Sequence, residues 1–245
     1  RACVKRGKPA RIPNIHRRKS RLVTAALKWR GNRDVLAAAL AENISGEVDF
    51  AEGARALFAT DGSNYRATPL GVVWPKNKAD IINAVAQCNK FDAPVLPRGC
   101  GTSLAGQTCN NAVVIDTSRY MTKVLHIDPN ERTAHVEPGT ILDDLRAAAN
   151  KYSLTFGPDP ATHTHCTIGG MVGNNSCGVH SVMSGRTADN VRALEILTYD
   201  GTRFWVGATS PEELGEIISQ GGRRGEIYSR LNSLPRIYAD RIRES

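Results

Sequence analysis

Apolar positions along the chain fall into short runs whose period changes several times. Residues 34–43 are rich in Ala and Leu and predict a helix. Residues 49–66 read as irregular, with Asp61-Gly62-Ser63-Asn64 as a turn cluster. Gly71-Val72-Val73-Trp74-Pro75 is then a short buried strand. Residues 78–91 follow as a helix, with Ile81, Ile82, Val85, Ala86 and Asn89 on one face. Pro94-Val95-Leu96-Pro97 is a second strand, so a strand–helix–strand unit with parallel pairing is expected. Residues 112–116 predict another strand, and residues 124–128 and 133–137 form a hairpin about Pro129-Asn130. Residues 140–152 form an amphipathic helix with Ile141, Leu145 and Ala148 on one side. Residues 191–198 and 203–206 bracket Asp200-Gly201, a strong hairpin signal. Residues 211–245 read as helical and charged, broken at Gly221-Gly222. This order of elements reads as an α+β fold.

Charge changes the picture. The formal net charge of the 245 residues is +8, but residues 1–33 hold twelve Lys and Arg and no acid. The remainder holds twenty basic against twenty-four acidic residues, a net of −4. A basic body built to wrap nucleic acid is thereby disfavoured. Residues 1–33 read as a solvated basic leader, with an acid-poor targeting peptide as the alternative. The longest apolar run, residues 35–41, is far below the roughly 20 residues of a membrane span. The cysteines Cys3, Cys88, Cys100, Cys109, Cys166 and Cys177 show no C-x-x-C and no zinc or iron–sulfur spacing. They read as thiols in a reducing compartment, and no metal is expected. A cytoplasmic protein, with peripheral membrane contact at most, follows.

Two segments carry candidate chemistry. In the loop at 98–107, Gly99, Gly101 and Gly106 permit close backbone approach. Its successive N–H groups would form an anion nest, with Thr102, Ser103 and Gln107 as extra donors. Such a nest suits a pyrophosphate. It is not a Rossmann fingerprint, because Leu104 stands where the third Gly belongs. Arg98 would offset phosphate charge or make a salt bridge. Residues 167–178 hold four glycines and two asparagines, leaving a side-chain-poor surface on which a planar ring could lie, with amides at its edge. A tight helix-packing segment is the plainer reading. His163, His165 and His180 near Cys166 and Cys177 match no common zinc spacing. Asp116 reads as a strand-end turn residue.

Together these motifs resemble a known family. Pro75, P-R-G-C-G-T-S-L-A-G-Q at 97–107, P-G at 138–139, G-P-D-P-A-T at 157–162, T-I-G-G-M-V-G-N-N-S-C-G at 167–178 and G-R-T-A-D-N-V at 185–191 occur in order. This is similar to the FAD-binding domain of the vanillyl-alcohol-oxidase (PCMH) type, in its D-lactate dehydrogenase and glycolate oxidase branch, over roughly residues 50–245. The resemblance implies a small parallel β-α-β lobe and a larger mixed or antiparallel lobe with helices, with FAD between them. It divides the chain into a leader with a helical segment (1–48), the FAD-binding domain (49–208) and a helical insertion or tail (209–245).

The resemblance also implies residue roles. Arg98, Gly99, Cys100, Gly101, Thr102, Ser103 and Gln107 would cradle the pyrophosphate, and Pro75 would border the adenosine. Pro158, Asp159 and Thr162 would line the isoalloxazine. Gly169, Gly170, Asn175 and Gly178 would meet the flavin and ribityl chain, and Gly185 and Val191 would close the far side. Relatives that bind FAD covalently use a His where Thr102 stands here, so non-covalent FAD is expected. The implied activity is oxidation of a D-2-hydroxy acid of the lactate or glycolate class to the 2-oxo acid. Electrons would pass to a quinone, a cytochrome, an electron-transfer protein or an iron–sulfur partner. The substrate domain and catalytic base of such enzymes are expected beyond residue 245, so no catalytic residue is assigned and this piece alone is expected not to turn over. The alternatives are a sugar-alcohol oxidase, an alkyl-glycerone-phosphate synthase, a non-catalytic FAD-binding fragment, or nucleic-acid binding by the leader.

Overall fold

In the computed structural model, which describes residues 29–244, the first helix begins at a cap. The Asn32 side chain accepts hydrogen bonds from the N–H groups of Asp34 and Val35 and starts α1, Arg33–Asn43. Residues 1–28 lie outside the description, and with them Cys3 and most of the basic leader. Leu36 and Leu40 of α1 are fully buried, and Asn83 Nδ2 donates to Asn43 O at its far end.

β1 (Glu47–Asp49) follows, and α2 (Glu52–Leu57) lies inside the stretch expected to be irregular. At six residues, α2 is too short to show a helical period in the sequence. Its Ala54 is buried in a cluster with Val72, Trp74 and Val114, so packing holds it in place.

β2 (Gly71–Trp74), α3 (Lys78–Lys90), β3 (Val95–Arg98) and β4 (Val113–Asp116) build the main sheet, in the order β1-β2-β4-β3. β2 and β3 do not pair with each other as expected; each runs parallel to β4, which lies between them. The side chains explain the order. β2 and β4 are buried along their whole length, whereas β3 is half-buried and carries Pro97. Pro97 cannot donate to a ladder on both sides, and an edge position suits it. β1 closes the other edge, antiparallel to β2. Each fully buried Val of this sheet contributes about 1.5–3 kcal/mol. All three parallel strands deliver their carboxyl ends to one edge, so Pro75, Gly99 and Thr117 emerge together there.

The second half contains β5 (Val124–Asp128) and β6 (Thr133–Val136), a hairpin about the expected turn. α4 (Leu142–Asn150) buries Leu142, Leu145 and Ala149. α5 (Ile168–Asn174), α6 (Ser181–Ser184) and a 3-10 turn (Thr187–Asn190) carry the second glycine-rich segment and its sequel. β7 (Ala193–Leu197) and β8 (Arg203–Gly207) pair about Gly201, whose φ is +88°. The antiparallel strands of this half form two separate two-stranded sheets. Their neighbouring edges meet through the His135 and Trp205 rings, 6.1 Å apart. The β7–β8 hairpin is tied to the main sheet's helix, because Tyr199 Oη donates to Cys88 O or Ala93 O at the end of α3. Lys78 at the other end pairs with Glu195. The tail is helical as expected: α7 (Pro211–Gln220), α8 (Gly222–Ile237) and α9 (Ala239–Glu244). Gly221 and Gly222, at φ +68° and +64°, make the break between α7 and α8.

Candidate functional site

The loop that leaves β3 at the carboxyl edge is held from three sides. Gly99 lies so close to Thr167 that a Cβ there would come within 2.1 Å of Thr167 Oγ1, so only glycine fits. Gly62 N–H donates to Gly101 O, which brings the 61–64 turn onto the loop. Gly101 has φ +69°, and Arg98 lies beneath it. The Arg98 guanidinium donates to the carbonyls of Phe58, Thr60 and Thr108 and stacks on the Phe58 ring. Its side chain therefore braces the loop from behind, a role that neither phosphate contact nor a salt bridge had covered.

Asp61 was not among the expected site residues. It accepts from Ser63 through one oxygen and from Thr108 through the other, side chain and backbone in each case. Burial opposes its ionisation, but these four bonds outweigh burial and hold the carboxyl at about 2. The Asp-Gly-Ser turn is visible in the sequence. Its contact with Thr108, 47 residues on, is not.

What remains is a row of donors. Among the described residues, the N–H groups of Gly101, Thr102, Ser103 and Leu104 find no acceptor. Successive free N–H groups around a left-handed glycine form a concave anion site. Thr102 and Ser103 are half-buried in it, and Cys100 is exposed at its start. At its far end Gln107 donates to Asn174 Oδ1 at 3.4 Å and thereby meets the second glycine-rich segment.

That segment is the helix α5, capped by Thr167, whose Oγ1 accepts from Gly170 N–H. Met171 faces inward, into a cluster with Leu142 and Cys166. Gly170, Gly173 and Asn174, at helical i, i+3 and i+4 spacing, are exposed, and nothing lies within 4 Å of a Cβ placed at Gly173. The segment is thus both a packed helix and a flat open face. Its amides are not free, however. Gly169 N–H donates to Pro138 O, Asn175 N–H to Val172 O and Gly178 N–H to Ser181 Oγ. The Asn175 side chain is occupied by Ala188 N–H. These positions offer surface rather than the amide donors expected of them, because capping α5 and closing the following turn consumes the donors.

Asp159 lies against Gly178, where a Cβ would come within 2.1 Å of Asp159 O. Its carboxylate accepts from His180 N–H and pairs with His180 Nδ1. The backbone bond from His180 is the main reason its carboxyl is held below the usual range. Pro158 is buried, and Arg146 donates to the carbonyls of Phe156 and Pro158, fixing that turn. Thr162 O accepts from His165 and Cys166 N–H groups. Gly185, at φ +69°, and half-buried Val191 flank the 3-10 turn that Asn175 holds. Pro75 is buried at the end of β2. The histidines are paired separately, His163 with Asp143 at 2.7 Å and His180 with Asp159. Asp116 accepts from Trp74 Nε1 and from Ser118, as a strand-end turn residue does. Burial raises the Cys166 thiol, and desolvation by the surrounding loop together with the Asp116 charge raises that of Cys100 although its surface is exposed, which keeps both protonated.

A nest at the carboxyl edge of parallel strands, next to an open glycine face, is the setting for a nucleotide. Residues 69–207 match the family model of the FAD binding domain. The chain belongs to that family. This FAD-binding domain is 30% identical over 200 residues to D-2-hydroxyglutarate dehydrogenase of Pseudomonas putida, covering 80% of the chain and 20% of that protein. It is 34% identical over 161 residues to glycolate oxidase subunit GlcD of Escherichia coli, covering 64% of the chain and 32% of that protein. The chain thus spans between a fifth and a third of the length of these two relatives. Among solved structures, an alkyldihydroxyacetonephosphate synthase superposes with TM-score 0.63 at 20% identity, over 76% of this chain and 36% of that one. A carbohydrate oxidase from Microdochium nivale gives 0.63 at 23% identity, over 73% and 38%. These two show that the fold is shared. The cofactor of the family is FAD, and the free N–H groups of the nest fit its pyrophosphate.

Proposed function

We propose that this FAD-binding domain serves an oxidoreductase that converts a D-2-hydroxy acid to the 2-oxo acid. The observation that carries the proposal is the run of unspent N–H groups at Gly101–Leu104 beside the open face of α5. Bound FAD supplies the hydride acceptor. The chain's own residues bind and orient it. The nest N–H groups, with Thr102, Ser103 and Gln107, hold the pyrophosphate, while Gly99, Cys100 and Arg98 shape the nest. Pro75 borders the adenosine. Gly169, Gly170, Asn175 and Gly178 leave a flat wall for the ring system. Pro158, Asp159 and Thr162 line its edge, and Gly185 and Val191 close the far side. Thr102 has no nucleophilic nitrogen, so the flavin is held without a covalent bond. The domain runs over residues 49–208, with 1–48 and 209–245 flanking it.

The 2-hydroxy acid is supported by the names of both relatives, D-2-hydroxyglutarate dehydrogenase and glycolate oxidase subunit. Electrons leave to a quinone, a cytochrome, an electron-transfer protein or an iron–sulfur partner. Among the described residues no helix is long and apolar enough to cross a membrane. The five free thiols of the described residues support a reducing compartment such as the cytoplasm.

FAD titration of the purified chain tests the cradle. Saturable quenching of flavin fluorescence is expected, and Gly99→Val should abolish it. Release of all flavin into the supernatant on acid precipitation is expected for non-covalent binding. A chain that neither quenches nor is stabilised by FAD would sink the reading. Anaerobic bleaching by D-2-hydroxyglutarate, D-lactate or glycolate, compared in the whole protein, identifies the acid.

A further inference from the structure

We propose a second ligand site, for a small monocarboxylate with a flat or branched apolar body, in the cleft between β8 and the α7–α8 pair. The cleft is open to solvent, offers about 350 Å³ and is lined by Trp205, Ile217, Arg224, Tyr228 and the glutamates 213 and 216. That volume lies within the range of small-molecule sites, about 300–1,000 Å³. None of its lining residues belongs to the loops that form the flavin cradle.

Arg224 is the group that asks for a ligand. Its guanidinium stands over the Phe204 and Tyr228 rings, 5.9 and 5.6 Å from their centroids. Its Nε is buried and has no hydrogen-bond partner among the described residues. Nor does any carboxylate among the described residues pair with it. Of the neighbouring acids, Asp200, Glu213 and Glu226 are already occupied, and Glu216 lines the cleft without pairing to Arg224. Arg223 takes Asp200 and Glu226, and Glu226 also takes Arg230. Glu213 accepts from Ser210 N–H in the cap of α7. A half-buried guanidinium stacked on two rings, with no hydrogen-bond partner among the described residues, is a receptor for a carboxylate.

The remaining lining sets the rest of the ligand. Trp205 is half exposed and, with Ile217 and Tyr228, offers an apolar and aromatic wall. Glu213 and Glu216 add negative charge to the lining, so a second carboxylate on the ligand would be repelled. One negative end on an apolar body is the chemistry that satisfies the cation, the rings and the acidic side chains together.

Benzoate is the probe, with benzyl alcohol as its neutral counterpart and terephthalate as the dianion. The full chain is kept saturated with FAD so that the cradle is filled, and the Trp205 indole N–H resonance is followed by NMR. Benzoate should shift that resonance saturably, and benzyl alcohol and terephthalate should bind at least about tenfold more weakly. Arg224→Gln should weaken benzoate about tenfold, while Arg224→Lys retains part of the affinity. Glu216→Gln should improve terephthalate, and this variant keeps the test decisive if Arg224→Gln fails to fold. Equal binding of benzoate and benzyl alcohol, unchanged affinity in both Arg224→Gln and Glu216→Gln, or a Trp205 resonance that never shifts would overturn the proposal. Failure of FAD to bind would leave the benzoate result intact, so the two readings are separable.

Discussion

At the scale of single residues, the cradle depends on atoms that are missing. Gly99 is the sharpest case, since a side chain there meets Thr167 Oγ1 at 2.1 Å. Gly99→Val should cost about 2 kcal/mol and lower the melting temperature, together with the loss of FAD quenching. Asp61 gives a pH signature. Its carboxyl is held at about 2 against an ordinary 3.8. A depressed folded value means that the stabilisation is complete above the ordinary value and disappears as pH falls through that window. Urea melts between pH 5 and 2 should show that acid arm, worth about 1 kcal/mol from this group, and Asp61→Asn should flatten it. Glycine and Asp61 alike can be read as turn formers in the sequence. Which atom each one faces cannot, because the partners lie 68 and 47 residues away.

At the scale of elements, local pattern was enough where an element is long or bounded by a tight turn. The Ala- and Leu-rich run at 34–43 announces α1, the apolar face of residues 78–91 announces α3, and Asp200-Gly201 announces the β7–β8 hairpin. Pattern failed for α2 and for the pairing of β2 with β3. α2 exists because Ala54 packs beneath β2, and β4 sits between β2 and β3 because its four residues are all buried. Neither fact has a local period to report it. α1 is tied to the body by Leu36 and Leu40, both fully buried. Leu40→Ala should therefore cost about 2–5 kcal/mol in chemical denaturation, as a core position does. A cost near zero would place α1 outside the cooperative unit.

At the scale of the whole molecule, the two halves are joined by a few specific contacts: Tyr199 to the end of α3, Lys78 to Glu195, and Gln107 to Asn174. FAD lying on both the nest and the α5 face would add to them. Calorimetry at a FAD concentration about 100 times its Kd should show about 2.7 kcal/mol of added stability. That gain should appear in one transition if both halves hold the ligand. Tyr199→Phe removes a hydrogen bond remote from the flavin and should cost about 1 kcal/mol without changing FAD affinity.

The sequence by itself determined the ingredients. The ordered motifs from Pro75 to Val191 carried the resemblance to a flavin domain, and the split between a basic start and an acidic body spoke against a nucleic-acid-binding body. These signals are local or depend only on order, so no contact needs to be known. Tertiary structure decided which donors stay free. The amides of Gly169, Gly170, Asn175 and Gly178 are spent on Pro138 O, on capping α5 and on closing the following turn, while among the described residues those of Gly101–Leu104 remain open. It also set the Arg98 guanidinium on the carbonyls of Phe58, Thr60 and Thr108 and left Arg224 Nε without a hydrogen-bond partner among the described residues. Hydrogen bonds are made between residues distant in the chain, and a donor's availability is fixed only when every competitor for it has been placed.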